Sequence, residues 1–300
     1  MRYIVAHTSP DIDAITSVWL IKKFLTGWEG AEAKFVPAGE RIGGSPKGQS
    51  FDYAIEHIGS DEYIQVDTGM GPLDHHQTQS IKVCATTLTF NFIKQDLLAC
   101  NPPVNPEKLE ALERMVNYVL GIDHFQEVFR KDSLADYQDF SVVNILDGLK
   151  LQRPNQDGYY VRFISECLDA LLHDFENKIW AEREIKKNGI EFKTKWGKGL
   201  AIESINDSVV KLAQLMGYVI VARRDPRKGY LRIKARPNKN DTDKGIDLTL
   251  VYEKLKKMDP SATWFLHVSK KMLLNGSPKN PKMKPTKLPL SDIIEVLKTI

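Results

Sequence analysis

The chain has 300 residues, 42 Lys and Arg against 39 Asp and Glu, and 42% hydrophobic content, a composition that excludes a disordered or collagen-like polypeptide. Its apolar runs are too short for a membrane span and its start enters a strand without a secretory h-region, so a cytoplasmic protein is expected. Three widely spaced cysteines, Cys84, Cys100 and Cys167, fit neither a disulfide framework nor a zinc–thiolate site and are expected to be reduced thiols.

The small net charge of +3 conceals an asymmetry: residues 1–182 carry 16 Lys and Arg against 27 Asp and Glu, and residues 183–300 carry 26 against 12. A basic C-terminal part suits an anionic partner, phosphate or nucleic acid. A solvated Lys-rich surface explains the charge alone equally well.

In chain order, RYIVA, AKFVPA and EYIQV read as strands. A helix lies around Ala14–Thr26 and a short one in FDYAIEHI. This alternation predicts an α/β fold with a mostly parallel sheet. CATTLTFNFIKQDLLA reads as a helix ending near Asn101-Pro102-Pro103. PEKLEALERMVNYVLGI follows as an amphipathic helix with Pro106 and acidic residues at its start, where both are favourable. FSVVNILDGL and a long pattern from Tyr159 to Lys187 continue the helical content. Beyond it GLAIES, YVIVARR and GYLRIKAR read as strands, with a turn at Asp225–Gly229. DLTLVYEKLKKM and LPLSDIIEVLKTI read as helices. The organisation expected is a first α/β domain (1–158), a helical linker (159–188) and a smaller basic α/β domain (189–300).

The chemistry concentrates early. His7, Asp11 and Asp13 follow the first strand, and Asp67 follows EYIQV. Asp74, His75 and His76 come seven residues later. Strand-end loops of an α/β sheet converge on one cleft, and carboxylates and imidazoles gathered there suit hard or borderline divalent metals. Two metals roughly 3.5–4 Å apart require a bridging carboxylate, for which Asp67 is the candidate. One metal would take His7, Asp11 and Asp67; the other Asp13, Asp67, His75 and a further ligand. Oxygen and nitrogen ligation favours Mn²⁺, with Mg²⁺ as the alternative. His57, His124 and His173 are read as ordinary polar groups.

His7-Thr8-Ser9-Pro10-Asp11-Ile12-Asp13-Ala14, then Asp67, then Asp74-His75-His76, resembles the DHH phosphoesterase superfamily, which includes RecJ-type nucleases, oligoribonucleases, Myg-type exonucleases and family II pyrophosphatases. The resemblance implies a last ligand at Asp123, metal binding by His75, a phosphate-facing His76, and Asp74 orienting the histidines. It also implies a DHH-associated substrate domain. Where that domain usually carries a glycine-rich signature, this chain reads TWFLHVSKKMLLNGS.

The expected activity is hydrolysis of a phosphodiester in a short oligonucleotide or dinucleotide, by water activated between two metals, with Asp67, His76 and Asp74 as catalytic groups. Arg232, Arg236, His267, Lys270, Lys271, Asn275 and Lys282 are the candidates to hold the substrate, with Trp264, Phe265 and Tyr230 as stacking surfaces. The loop Ala38–Ser50 is read as an ordinary Gly-rich loop. The alternatives are a manganese-dependent pyrophosphatase and a non-catalytic nucleotide- or RNA-binding regulatory module. The partner is a phosphate-containing small molecule or short single strand, not a membrane; monomer and homodimer stay open.

Overall fold

A computed structural model describes residues 1–43, 53–99, 104–240, 243, 245–277 and 279–300. The fold is α/β with two mixed sheets. It divides into two compact units, Met1–Glu176 and Asn177–Ile300.

The first unit holds a four-stranded sheet in the order β2-β1-β4-β3, formed by β1 (Arg2–His7), β2 (Glu32–Val36), β3 (Ile55–Ile58) and β4 (Asp61–Gln65). β1 pairs parallel with β2 and with β4, whereas β3 pairs antiparallel with β4. The short helix expected in FDYAIEHI is therefore corrected: Ile55–Ile58 is a strand, and residues 51–52 lie outside the described residues. Gly59, at φ +63°, and Ser60 make the tight reversal, a position where left-handed backbone favours glycine.

The centre of this sheet is built from fully buried β-formers, Ile4, Val5 and Ile64. Helix α1 (Ile12–Phe24) is buried at every residue from Ile12 to Ile21. It packs between β1 and helices α2 (Ala85–Ala99) and α3 (Pro106–Asp123). Such all-round burial explains why its hydrophobic pattern is weakly amphipathic. The expected stop of α2 near Asn101-Pro102-Pro103 lies outside the described residues. α3 starts as the sequence predicts, with Asn105 accepting from the Lys108 amide at 2.9 Å and proline at its first position. A 3-10 turn (Gln126–Phe129), α4 (Asp136–Asp139) and α5 (Val142–Gln152) lead to α6, which runs from Asp157 to Asn188. The division between the units falls within this helix.

The second unit is a six-stranded sheet in the order β5-β6-β7-β8-β10-β9. Its strands are β5 (Ile190–Thr194), β6 (Gly197–Glu203), β7 (Ile220–Arg224), β8 (Leu231–Ala235), β9 (Phe265–Leu266) and β10 (Met272–Asn275). Only β6 and β7 pair parallel among these described strands. One core joins the end of α6 and α7 (Ser208–Leu215) to Leu200, Ile202 and Val221. The other joins α8 (Thr249–Met258) and α9 (Leu290–Thr299) to Ala222, Ile233 and Leu273. Alternating side chains of one strand thus feed opposite faces. β5 and α7 are elements that the sequence reading did not resolve. Cys84 is buried and Cys167 partly so, and both are free; Cys100 lies outside the described residues. Among the described residues no helix is long and apolar enough to cross a membrane.

Candidate metal centre

His7 ends β1, and the turn after it passes through Ser9 at φ +54°, its amide donating to Asp157 Oδ1 at 3.1 Å. Asp11 then caps α1, its Oδ1 accepting from the amides of Asp13 and Ala14 at 2.9 and 3.0 Å, the usual role of an N-cap aspartate. Its other oxygen lies 3.9 Å from His7 Nε2. Asp13 sits in the first turn of the helix, fully buried. Its two oxygens accept from the amides of Ala85 and Thr86, each at 2.7 Å, so that it anchors the start of α2.

Asp67 follows β4 in a left-handed conformation, φ +54°, which costs a non-glycine residue roughly 1 kcal/mol or more. The surrounding loop holds it there. Its amide donates to Leu73 O at 3.1 Å, and Thr68 Oγ1 donates to Glu40 O at 2.8 Å. Asp74 Oδ2 accepts from the Met70 amide at 2.7 Å. Gly69 is required here, since an added Cβ would lie 2.8 Å from Arg41 Cβ.

The result is one cavity of about 540 Å³ lined by His7, Asp11, Asp67, His75, His76 and Asp123, among others. Asp67 stands at its centre: Oδ2 lies 3.3 Å from His7 Nε2, and Oδ1 lies 3.4 Å from His75 Nε2. One carboxylate therefore faces two imidazoles through two different oxygens. His75 Nε2 also lies 3.7 Å from Asp123 Oδ1 and 3.8 Å from Asp13 Oδ2. The fold thus brings His7, Asp11, Asp13, Asp67, His75 and Asp123 together from four separate segments. His7 Nδ1 lies 2.9 Å from Thr8 O, a bond only an N–H can make, which leaves Nε2 as the nitrogen able to ligate a cation. His76 Nδ1 is 2.7 Å from Asp74 Oδ1, so Asp74 orients His76 rather than His75. The His76 ring is 58% exposed.

These residues fit a divalent cation on two observations. Asp67 Oδ1 and Asp123 Oδ2 are buried acceptors with no hydrogen-bond partner, which is costly in a site without a cation. The same excess negative charge draws protons onto the imidazoles. The Asp67 carboxylate, 3.3 Å from His7 and 3.4 Å from His75, pushes both imidazoles up to about 9. Burial, and then the charge of Asp67, raises Asp13 to about 7. Burial also raises Asp123. Burial works against ionisation of Asp67, yet the imidazoles of His7 and His75 beside it outweigh that and hold the carboxyl below its ordinary value.

Two neighbours escaped the sequence reading. The Cys84 thiol lies within 4.8 Å of ligand atoms of Asp13 and Asp123, and burial pushes it far up as an acid. His124 stands edge-on to His75, ring centres 6.0 Å apart, while its Nε2 donates to Val83 O at 2.9 Å. Its adjacency to Asp123 was the available signal. Ala38 and Gly39 line the cavity; residues 44–50 of that loop lie outside the described residues.

The expected substrate residues do not form one group. Asn275 is fully buried, its amide donating to Thr263 O at 2.7 Å and Lys284 O at 3.2 Å while its oxygen accepts from the Thr286 amide; its polar atoms hold the domain together. Trp264 is likewise buried, its indole bonded to Asp259 O at 3.0 Å. Arg236, His267, Lys270 and Lys271 gather at one end of β8, where Ala235 donates to Lys271 O and Lys270 to His267 O, both at 2.8 Å. Lys270 pairs with Asp247 at 3.2 Å, and Lys271 Nζ donates to Ile246 O at 2.6 Å. Arg232 lies at the other end of the strand, about 13 Å away at strand spacing. Lys282 is exposed on the loop after β10.

No protein-family profile and no curated protein matches the chain. Among solved structures it is similar to the DHH domain of a member of a family of ribosomal proteins, at 10% identity over 99% of this chain and 86% of that one, TM-score 0.31. It is also similar to a pGpG-specific phosphodiesterase from Vibrio cholerae, at 11% identity over 98% of both chains, TM-score 0.25. A third is a putative family II inorganic pyrophosphatase from Methanococcus jannaschii, at 15% identity over 99% of both, TM-score 0.20.

Proposed function

We propose that this protein is a metal-dependent phosphoesterase that cleaves a phosphodiester in a short oligonucleotide or dinucleotide. The observation that carries the reading is Asp67, a buried carboxylate whose two oxygens face His7 and His75 at 3.3 and 3.4 Å, with Oδ1 making no well-formed hydrogen bond. His7, Asp11 and Asp67 would hold one divalent ion, and Asp13, Asp67, His75 and Asp123 a second, with Mn²⁺ or Mg²⁺ matching the donor types. Ions held there supply Lewis acidity and lower the pKa of water toward neutrality.

The remaining chemistry belongs to the side chains. Asp74 fixes the His76 ring through Nδ1, leaving Nε2 as the free nitrogen on the cavity wall. From there a doubly protonated His76 would donate Nε2–H in a hydrogen bond to the phosphate, or give that proton to the leaving oxygen. Meanwhile the attacking water passes a proton to a site carboxylate, its oxygen bonds to phosphorus and the ester P–O bond breaks. The net positive charge of residues 183–300 and the gathering of Arg236, His267, Lys270 and Lys271 at one end of β8 support an extended anionic substrate.

A panel of pyrophosphate, dinucleotides and short single strands, each with Mn²⁺ and with Mg²⁺, tests this reading. Cleavage of the dinucleotide or short strand, abolished in Asp67→Asn, is the expected result. Phosphate release from pyrophosphate alone would instead favour a pyrophosphatase. Nucleotide binding without turnover of any substrate would leave a regulatory module.

A further inference from the structure

The second unit contains a pocket of about 290 Å³ that shares no residue with the metal centre. It is built where β7 ends, where β8 begins and where the chain leaves β10. Asp225 organises the turn between the first two: its Oδ1 accepts from the amides of Arg227 and Lys228 at 2.9 and 3.3 Å, and Gly229 closes the turn at φ +66°. This Asx-type turn presents Arg227 and Lys228, both exposed, at the mouth. The floor is Arg223, whose side chain is 8% exposed, its Nε donating to Ser204 O at 2.7 Å. One wall is Tyr230, packed so closely on Gly276 that an added Cβ would lie 2.3 Å from the ring.

Charge decides what such a pocket takes. Four cations, Arg223, Arg227, Lys228 and Arg232, face two carboxylates, Asp207 and Asp225. Asp207 stands between two guanidiniums, 3.1 Å from Arg223 and 2.6 Å from Arg232. It is itself 45% exposed and makes no capping bond to α7. A half-exposed carboxylate clasped by two arginines occupies the place where a stronger oxyanion would sit. Arg232 Nε, moreover, is a buried donor without an acceptor.

We propose that this pocket is an anion site for a phosphate monoester of up to mononucleotide size. The phosphate displaces the Asp207 carboxylate from between Arg223 and Arg232, with Arg227 and Lys228 closing on its outer oxygens and Tyr230 flanking the group it is attached to. The volume lies at the small end of ligand pockets, which begin near ~300 Å³. The inference goes beyond the hydrolytic reading and assigns Arg232 to this pocket, away from Arg236 and Lys271 at the far end of the same strand.

The test is calorimetric titration of the full chain carrying Asp67→Asn, so that binding is read without hydrolysis and survives even if the hydrolytic reading fails. The probes are inorganic phosphate and 5′-AMP in separate arms, at low ionic strength. Saturable binding is expected. Arg232→Gln should weaken it about tenfold, the loss of one charge-assisted bond pair. Asp207→Asn should tighten it a few-fold by removing the internal competitor. Circular dichroism checks that each variant folds, and Arg227→Gln with Lys228→Gln at the exposed mouth replaces Arg232→Gln if that chain does not. Tighter binding of 5′-AMP than of phosphate assigns the ligand as a nucleotide; equal binding assigns the phosphate group alone. The proposal is overturned by an absence of saturable binding. It is equally overturned if binding is unchanged in the mouth and Arg232 variants, or is lost in Arg236→Gln but kept in Arg232→Gln.

Discussion

The metal centre and the arginine pocket handle charge in opposite ways. In the first unit Asp11, Asp13, Asp67 and Asp123 converge with His7 and His75 as their nearest counter-charges, and two buried oxygens are left without a donor. In the second, Asp207 and Asp225 each stand beside the Arg223 guanidinium. In the first unit carboxylates outnumber imidazoles, an excess that suits a cation; in the second, four cations face two carboxylates, an excess that suits an added anion. The contrast separates a cluster with surplus acceptors from one with surplus donors.

The largest expected effect comes from removing the central carboxylate oxygen. Asp67→Asn should lose both bound metals, read by elemental analysis after dialysis. Hydrolysis should fall by more than the roughly 10–100-fold typical of a residue that only orients a ligand. Retention of two metals by this variant would remove Asp67 from the bridging position. Asp74→Asn should give that smaller loss, roughly 10–100-fold, with metal content intact, because Asp74 touches His76 and the Met70 amide rather than the ligating nitrogens.

Acidity sharpens the comparison further. His7 and His75 are raised to about 9 in the folded, metal-free chain. A raised imidazole stabilises the fold fully below its ordinary value of 6.5 and loses that contribution as pH climbs through 9. Asp13, raised to about 7, pushes the same way over a lower range: its contribution is lost as pH climbs from its ordinary value of 3.8 through 7, before most of the imidazole loss begins. The Tm of the metal-free protein should therefore fall between pH 6.5 and 9. Saturating Mn²⁺ should raise it most at the alkaline end, where ligands are deprotonated. A metal-free Tm that held steady or rose over this range would mean that the cage is internally balanced after all.

The smallest effect is expected in the second unit. Asp259 accepts from Ser261 at 2.7 Å, Thr286 at 2.8 Å and the Lys287 amide at 3.1 Å, and these bonds, that from Ser261 first, hold it near 2. Its contribution is present above the ordinary aspartate range and is lost only as pH falls toward 2. Asp259→Ala should cost about 1–3 kcal/mol in urea unfolding at neutral pH, without moving the metal content. Metal loss in this variant would show that the two regions are not energetically separate.

Much of the metal centre was legible because its ligands are rare residue types at strand ends. Periodicity locates strand ends well: His7 closes β1 and Asp67 stands two residues past β4. The Ile55–Ile58 strand was misread because FDYAIEHI lacks strict alternation; the overlooked cue was Gly59-Ser60, two turn residues between two apolar segments. α7 is only eight residues long, short enough for its pattern to blend into the loops beside it. The basic residues of the second unit were read as one set because sequence gives sign but not end. Arg232 lies on β8 and Arg236 just past its end, four residues apart and so at opposite ends of the strand. The Arg223–Asp207 contact joins residues 16 apart through a strand and helix, which no local pattern encodes.

Asp13 has one more consequence. The carboxylate that lies 3.8 Å from His75 is also the anion clasped by the first two amides of α2. Anything that pulls electron density from this carboxylate weakens its hold on those two N–H groups. If Asp13 helps to hold a metal as proposed, filling the site would reach the backbone, and the exchange rates of the Ala85 and Thr86 amide hydrogens should then change on addition of Mn²⁺. That change can be read in solution without any substrate.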